Sequence, residues 1–423
     1  MGLRYILCCG CCRKSGGDNG SDFAPEVPPP IGRVLVFVNP HSGTGKALQV
    51  YKKQLDPRLT DANIDHELIV TKHSGHARDV VVERTDLATF NAIIIVSGDG
   101  LVFEVINGLL ERPDGDFLLQ KLAFGVVPSG SGNGLLASLC YARGLPQKQP
   151  LFTRNAIEHV TDSDAIAYGI NLTHMQTDTK HFASFMSIGW GLLADIDIES
   201  ERFRKVLGSQ RFTFEAVLRI FGHLRTYQGR LSFLEAGPIE SRPPAQFNVY
   251  SKTPLPDESC PSYHSRETSA ASDSHSGCQN DQFWQGKHRK PEASIVSPLG
   301  EAVDSKWTVI EGEFLFVYVT SVTHISPGNM YAPSAKLSDD RIQLTYALKK
   351  DLPSRFALAK FLDAIESAKH LDFDFVKTVS VTSFRLEPDN AKPSSYIVVD
   401  GEIIDCKRIQ GTVSDVHIHL MSK

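Results

Sequence analysis

Between Ile31 and Leu139 the chain alternates short, unbroken apolar runs with segments of mixed polarity. Val34–Val38 (VLVFV), Asp65–Thr71, Asn91–Val96 (NAIIIV) and Ala123–Val127 (AFGVV) predict strands, and Gly45–Leu55, Gly75–Arg84, Gly100–Leu110 and Asn133–Leu139 predict the helices that follow them. Strands that are apolar on both faces and alternate with helices predict a parallel sheet covered on both sides. In such sheets ligands bind beyond the carboxyl ends of the strands. After Pro146–Pro150 the pattern changes. Asp164–Leu172, His181–Ile188, Arg230–Phe233, Glu313–Thr320, Arg341–Tyr346, Thr378–Leu386 and Tyr396–Val399 read as strands separated by turn signals, which predicts an antiparallel, sandwich-like, β-rich domain. Phe212–Leu224 predicts an amphipathic helix with Phe214, Val217, Leu218 and Phe221 apolar and Arg219 and His223 polar, and core packing of the apolar side is the plain expectation.

These shifts divide the chain into a tail (1–30), an α/β domain (31–150) and a β-rich domain (151–423). Residues 238–305 are rich in Pro, Ser and charge and predict a disordered insertion, with Thr253-Pro254 and Ser297-Pro298 as candidate proline-directed phosphorylation sites.

The strand ends are where small residues concentrate. The first strand runs into Asn39-Pro40-His41-Ser42-Gly43-Thr44-Gly45-Lys46, the third into Ser97-Gly98-Asp99-Gly100, the fourth into Pro128-Ser129-Gly130-Ser131-Gly132-Asn133-Gly134. Glycine lets backbone N–H groups approach phosphate oxygens, and a helix start adds partial positive charge. Three such turns on one sheet predict a phosphate-binding edge. Pro40 and Ala47 exclude a P-loop, and the third turn lacks the G-x-G-x-x-G spacing of a dinucleotide fold. Asp99, the only acid in its turn, reads either as a turn or helix-capping residue or as the group that takes a hydroxyl proton during phosphoryl transfer.

Composition narrows the classes of partner. With 44 Lys+Arg against 49 Asp+Glu the formal charge is −5, so the chain as a whole has no attraction for nucleic acid or an anionic membrane. Four of the eight cysteines (Cys8, Cys9, Cys11, Cys12) crowd the first twelve residues, unlike a disulfide scaffold, which suggests a reducing, cytoplasmic setting. A short apolar segment beside clustered cysteines suits S-palmitoylation, and hence peripheral membrane association; Gly2 invites N-myristoylation, but Ile6 stands where that motif has Ser or Thr.

The segments NPHSGTGKA, SGDGLVFEVINGLL and VPSGSGNGLLASL resemble the nucleotide-loop motifs of the diacylglycerol-kinase-type lipid kinases, among them the sphingosine kinases. The resemblance implies a phosphofructokinase- or NAD-kinase-like nucleotide domain followed by a β-rich lipid domain, with ATP and Mg2+ as cofactors. It implies Asp99 as the catalytic acid-base group, with Ser97, Gly98 and Gly100 beside it on the substrate side. It implies a nucleotide site formed by Asn39, Pro40, His41, the turn Thr71, Lys72, His73, Ser74 and Gly75, then Glu104, Gly130, Ser131 and Gly132, and Asp400, Gly401 and Glu402 of the VDGE motif. Metal ligands stay undefined, Glu104 being a contact on the nucleotide or magnesium side. In Ala194–Glu201 (ADIDIESE) the alternation by itself reads as an exposed strand or loop edge. The resemblance puts on Asp197 the carboxylate that pairs with a sphingoid amine, and on Arg204 and Arg211 the phosphate-clamping arginines, with Arg202 a second candidate. It implies that helices in this region cover the lipid tail and approach the membrane, and it is compatible with a homodimer.

The function expected from these residues is phosphorylation of the primary hydroxyl of a sphingoid base. The alternatives are a ceramide or diacylglycerol kinase, or a non-catalytic lipid-binding protein of the same fold. A ceramide offers Asp197 no amine, and a non-catalytic relative has no need of Asp99 or of three glycine turns.

Overall fold

The computed structural model describes residues 29–130, 132–207, 210–237, 246–252, 283–288, 295–389 and 395–423, with the side chains of 204 and 205 outside the description. Gly2, Cys8, Cys9, Cys11, Cys12, Ser131, Thr253-Pro254 and the Arg204 side chain therefore lie outside the described residues, with what was expected of them.

Strands β1 (Gly32–Val38), β2 (Ile64–Val70), β3 (Ala92–Ser97) and β4 (Ala123–Pro128) are parallel in the order β4–β3–β1–β2. Helices α1 (Ala47–Val50, continuing through Tyr51–Leu55 into Asp56–Asp61), α2 (His76–Glu83), α3 (Asp99–Leu110), α4 (Gly115–Lys121), α5 (Gly134–Ala142) and α6 (Leu151–Thr161) cover them. Alternate residues of β1 serve opposite faces. Leu35 and Phe37 pack with Val102 and Ile106 of α3, whereas Val34, Val36 and Val38 pack with Tyr51 and Leu55 of the α1 continuation. Two buried faces are the reason the strand sequence has no polar alternation.

The β-rich half contains β5 (Ile166–Thr177), β6 (His181–Ser184), β7 (Ser187–Gly191), β8 (Tyr227–Glu235), β9 (Gln246–Asn248), β10 (Thr308–Thr320), β11 (His324–Ser326), β12 (Asn329–Met330), β13 (Ile342–Leu348), β14 (Val376–Pro388), β15 (Ile397–Val399), β16 (Glu402–Ile403) and β17 (Ile409–Ser422). Both β8 and β13 pair antiparallel with β10 and with β14, so the four strands close a ring around Trp190, Leu231, Phe314 and Phe384. The single run expected at His181–Ile188 is two strands broken by a turn at Phe185 and Met186.

The longest strand, β17, was not among those expected. It pairs antiparallel with β5 and β14, and its end pairs in parallel with β4 at His419↔Ala123 and Leu420↔Phe124. Ile418 and Leu420 share a core with Leu35 and Phe124, so the two halves are joined by one continuous sheet and one apolar cluster. The 238–305 insertion is also partly built into the fold. β9 pairs with β5, Val249, Tyr250 and Trp284 are buried, and Arg385 donates to the carbonyls of Ser297, Pro298 and Glu301 at 2.9, 2.9 and 2.6 Å. For those segments the expectation of a disordered loop is corrected.

Two further corrections concern the region between β7 and β8. The alternating acidic stretch forms a helix, α7 (Leu192–Ser200), entered through Gly191 at φ +86°. The helix that follows, α8 (Arg211–Val217, continued by a π-helical turn over Leu218–Gly222), is turned inside out. Arg211, Glu215 and Arg219, spaced four apart, are 2%, 1% and 6% exposed, whereas Phe214, Val217, Leu218 and Phe221 are 44%, 51%, 42% and 43% exposed. The buried charges face the acids of α7. Arg219 pairs with Glu199 and reaches Asp195 at 3.6 Å and Glu215 at 3.3 Å, and Arg211 pairs with Glu201. A buried charge must be matched, and here arginine forks and carboxylates match each other. Helix α9 (Arg355–Ala364) packs beside them, with Leu358 and Phe361 in an apolar cluster shared with Leu192, Ile196, Ile220 and Phe316. Among the described residues no helix is long and apolar enough to cross a membrane.

Candidate active site

The three glycine turns meet at the carboxyl ends of β1, β3 and β4. A Cβ on Gly130 would lie 2.7 Å from the Cα of Gly98, and one on Gly43, at φ +55°, would lie 2.3 Å from the Ser129 carbonyl oxygen. Only backbones without side chains approach this closely. The Ser97 hydroxyl donates to that of Ser42 at 3.3 Å, tying the first turn to the second.

Asp99 opens α3 at this junction and is 6% exposed. Its Oδ2 accepts the Gly134 N–H at 2.8 Å, and its Oδ1 accepts the Leu135 N–H at 3.4 Å. It thus caps the first turn of α5 while standing at the start of α3. Burial pushes its carboxyl up to about 6, against the two hydrogen bonds. The capping role is compatible with a proton-accepting one in the same side chain. The two N–H groups orient it, and a group titrating near 6 is ionised at neutral pH yet basic enough to take a proton.

The other expected contacts sort by where they point. Asn39, whose Oδ1 accepts the His41 N–H at 3.0 Å, and the exposed His41 line the first turn, with Pro40 between them. Thr71 is buried, Lys72, His73 and Ser74 are exposed, and Gly75 at φ +83° leads into α2, all at the carboxyl end of β2. Glu104 accepts the Ala77 N–H of α2 at 3.3 Å. Asp400 and Gly401 form the β15–β16 turn with φ of +51° and +87°, the positive-φ pair of a tight hairpin. Asp400 turns inward. It accepts the Ser184 hydroxyl and the N–H groups of Phe185, Met186 and Ser187 at 2.8 to 3.0 Å, and burial pushes it up to about 7 against those donors. Its lone pairs are committed to the β6–β7 turn. The side chain that reaches the cleft is that of Glu402, whose Oε1 lies 2.6 Å from where a Cβ on Gly100 would be. Its carboxyl is raised by burial and by the charges of Glu104 and Asp197, which groups these three acids.

Arg211 does not stand open for a phosphate. It is paired with Glu201, with its guanidinium 4.3 Å from the Phe212 ring centre. Arg202 is more exposed and donates to Glu215 at 2.8 Å. Asp195 is the buried anchor of α7, accepting the hydroxyls of Tyr227 and Ser395, whereas Asp197 is half-buried.

One residue that the sequence did not mark joins Asp99 to Asp197. Tyr318 lies in the apolar run of β10, and its hydroxyl is raised first by burial and then by the charges of Asp197, Asp400 and Asp99. All three carboxylates therefore lie near that hydroxyl, and the ring below it packs on the apolar cluster of α7, α8 and α9. Nothing in FLFVYVT distinguishes that tyrosine from a core residue. Among the described residues no three His, Cys, Asp or Glu side chains are gathered as ligands for one metal ion.

The chain is similar to known lipid kinases. Residues 33–168 match the diacylglycerol kinase catalytic domain family. The chain is 40% identical over 392 residues to sphingosine kinase 1 of Caenorhabditis elegans, covering 92% of this chain and 81% of that one. It is 32% identical over 396 residues to human sphingosine kinase 1, covering 92% and 91%. To human ceramide kinase it is 26% identical over 369 residues, covering 83% and 61%. Crystal structures of a diacylglycerol kinase from Bacillus anthracis share the fold, one with a TM-score of 0.51 at 14% identity, covering 93% of this chain and 97% of that one.

Proposed function

This chain belongs to the sphingosine kinase family and is a lipid kinase, and from that premise we propose that it transfers the terminal phosphoryl group of ATP to the primary hydroxyl of sphingosine, giving sphingosine 1-phosphate. The observation that carries this reading is the buried Asp99 at the junction of the three glycine turns, with Asp99 and Asp197 both near enough to the Tyr318 hydroxyl to raise it. Backbone N–H groups of the turns take the nucleotide phosphates. Asp99 takes the hydroxyl proton as the new O–P bond forms and the bond to the leaving ADP oxygen breaks. Asp197 pairs with the lipid ammonium, which enters a poorly solvated space and needs a counter-charge. The tail lies against the apolar cluster of α7, α8 and α9.

Magnesium fits this site as an ion that arrives with the nucleotide. No ready three-ligand group stands among the described residues, and the like charges of Glu104 and Glu402 face the same cleft. When bound it neutralises phosphate charge, with Glu104 and Glu402 as the carboxylates to hold it.

The outward apolar side of α8 and Phe356 of α9, 70% exposed and with its ring centre 5.4 Å from that of Phe221, support peripheral contact with a lipid surface through which the substrate enters. Acylation of Cys8, Cys9, Cys11 and Cys12 adds a second anchor, checked by palmitate labelling of the four-serine variant.

The deciding measurement is phosphate transfer from labelled ATP to sphingosine, ceramide and diacylglycerol side by side. Sphingosine is the preferred acceptor on this reading; preference for ceramide, which has no amine for Asp197, rejects it.

A further inference from the structure

We propose that Tyr318 is a specificity-determining residue whose hydroxyl hydrogen-bonds the second, non-reacting hydroxyl of the amino-diol headgroup; this deepens, and rests on, the reading of the site as a sphingoid-base kinase. Tyr318 of β10 pairs with Gly189 of β7. A Cβ on Gly189 would lie 3.4 Å from two carbons of the Tyr318 ring and 3.6 Å from the Cβ of Ala194 in α7. The ring therefore lies across the glycine with α7 beside it, and Asp197 follows Ala194 by three residues, on the same side of that helix. On its other side the ring meets Tyr331, centre to centre at 4.6 Å. The ring packs on the apolar cluster, while the hydroxyl is within hydrogen-bonding reach of Ser187 and faces Asp197, Asp400 and Asp99. One side chain thus spans the boundary between the tail region and the headgroup region.

The chemistry of that boundary calls for a donor. A 2-amino-1,3-diol brings an ammonium and two hydroxyls. Asp197 accepts from the ammonium and Asp99 from the reacting hydroxyl, while Asp400 is committed to four donors. Ionised carboxylates only accept, so these three groups offer the oxygen of the second hydroxyl no donor in a poorly solvated place. Tyr318 supplies one. Burial and three neighbouring carboxylates keep its phenol protonated at any working pH. Gly189 has no side chain to push the ring aside.

The test crosses two enzymes with two lipids. Wild type and Tyr318→Phe, which keeps the ring and its contacts, are assayed with sphinganine and with its 3-deoxy analogue, and a melting curve checks that the variant is folded. The wild type is expected to favour the 3-hydroxylated base by about tenfold in kcat/KM, the worth of one hydrogen bond, mostly through KM. Tyr318→Phe is expected to lose that preference, with the KM for ATP and the activity on the 3-deoxy base within about twofold of wild type. Equal losses on both lipids, or a preference undiminished in Tyr318→Phe, overturn the proposal and leave the sphingoid-kinase reading standing. Phosphorylation of neither base by the wild type overturns that reading itself.

Discussion

Helices α3 and α8 obey opposite rules. In α3 the buried residues include Leu101, Val102, Val105, Ile106, Leu109 and Leu110, and the catalytic candidate Asp99 sits at its first position. In α8 and its π-helical continuation the buried residues include Arg211, Glu215 and Arg219 beside Ile220, and Phe214, Val217, Leu218 and Phe221 face out. The contrast shows that hydrophobic periodicity identifies two faces of a helix without deciding which one is inward. The neighbour decides. α3 meets the apolar strands of a parallel sheet, while α8 meets Asp195 and Glu199 of α7, whose charges it neutralises. Its apolar stripe then faces outward.

The sharpest attack on the α3 side is Asp99→Asn. Turnover is expected to fall by about a thousandfold or more, since an amide cannot take the proton. One of the two N–H acceptors is retained, so destabilisation stays near 1 kcal/mol. Measured turnover close to wild type removes Asp99 from the mechanism.

On the α8 side, Arg219→Ala leaves Asp195, Glu199 and Glu215 without their shared partner. The expected cost is about 3 kcal/mol of stability, read by denaturant unfolding. Phe214→Ser, on the opposite face of the same helix, is expected to leave stability within about 0.5 kcal/mol. If the apolar substitution proves the more damaging of the two, α8 is not inside out.

Asp197→Asn separates α7 from both helices. A loss of about thirtyfold in kcat/KM is expected for sphingosine, a little over 2 kcal/mol of charge pairing, and only a few-fold loss for an uncharged alcohol lipid. Equal losses reject the ammonium pairing. Smaller again is the joint Phe214→Ser and Val217→Ser variant. It is expected to bind vesicles several-fold more weakly while phosphorylating detergent-dispersed sphingosine normally.

The mildest probe is pH. With Asp99 titrating at about 6, activity is expected to be level above pH 7, half-maximal near 6 and to fall tenfold per unit below that. Stability is a separate balance: His159, His174, His370 and His419, held below the ordinary imidazole value by burial, favour the unfolded state as pH falls below about 6.5, and two carboxyls act the other way. The folded-state pKa values of Asp99 and Asp400, about 6 and about 7, lie above the ordinary aspartate value, so the folded state takes up protons first and these two groups add stability as pH falls from 7 towards 4. Activity that stays level from pH 7 down to 5 contradicts the assignment.

Much of the α3 side was legible along the chain. Val34–Val38 and Asn91–Val96 needed only their own composition to read as doubly covered strands, and the turns around Gly43, Gly98 and Gly130 showed by their glycines that backbones meet there. The acidic hairpin was legible as a motif, but not the division of labour in which Asp400 holds the β6–β7 turn and Glu402 reaches the cleft. That depends on which carboxylate finds four donors, and Ser184 to Ser187 lie more than two hundred residues away. The α7 stretch was misread because alternating acids fit a strand edge as well as a helix whose partners are unknown.

What the residues determined by themselves is therefore the local part: strand and turn identity, the glycine positions and the supply of carboxylates, because steric limits and periodicity act between near neighbours. Tertiary structure alone decided that β17 would stitch the two halves together, that α8 would bury arginine and expose phenylalanine, and that the Tyr318 ring would lie between Gly189 and Tyr331. Burial and charge pairing are properties of facing surfaces, and those surfaces come from parts of the chain that no local rule connects.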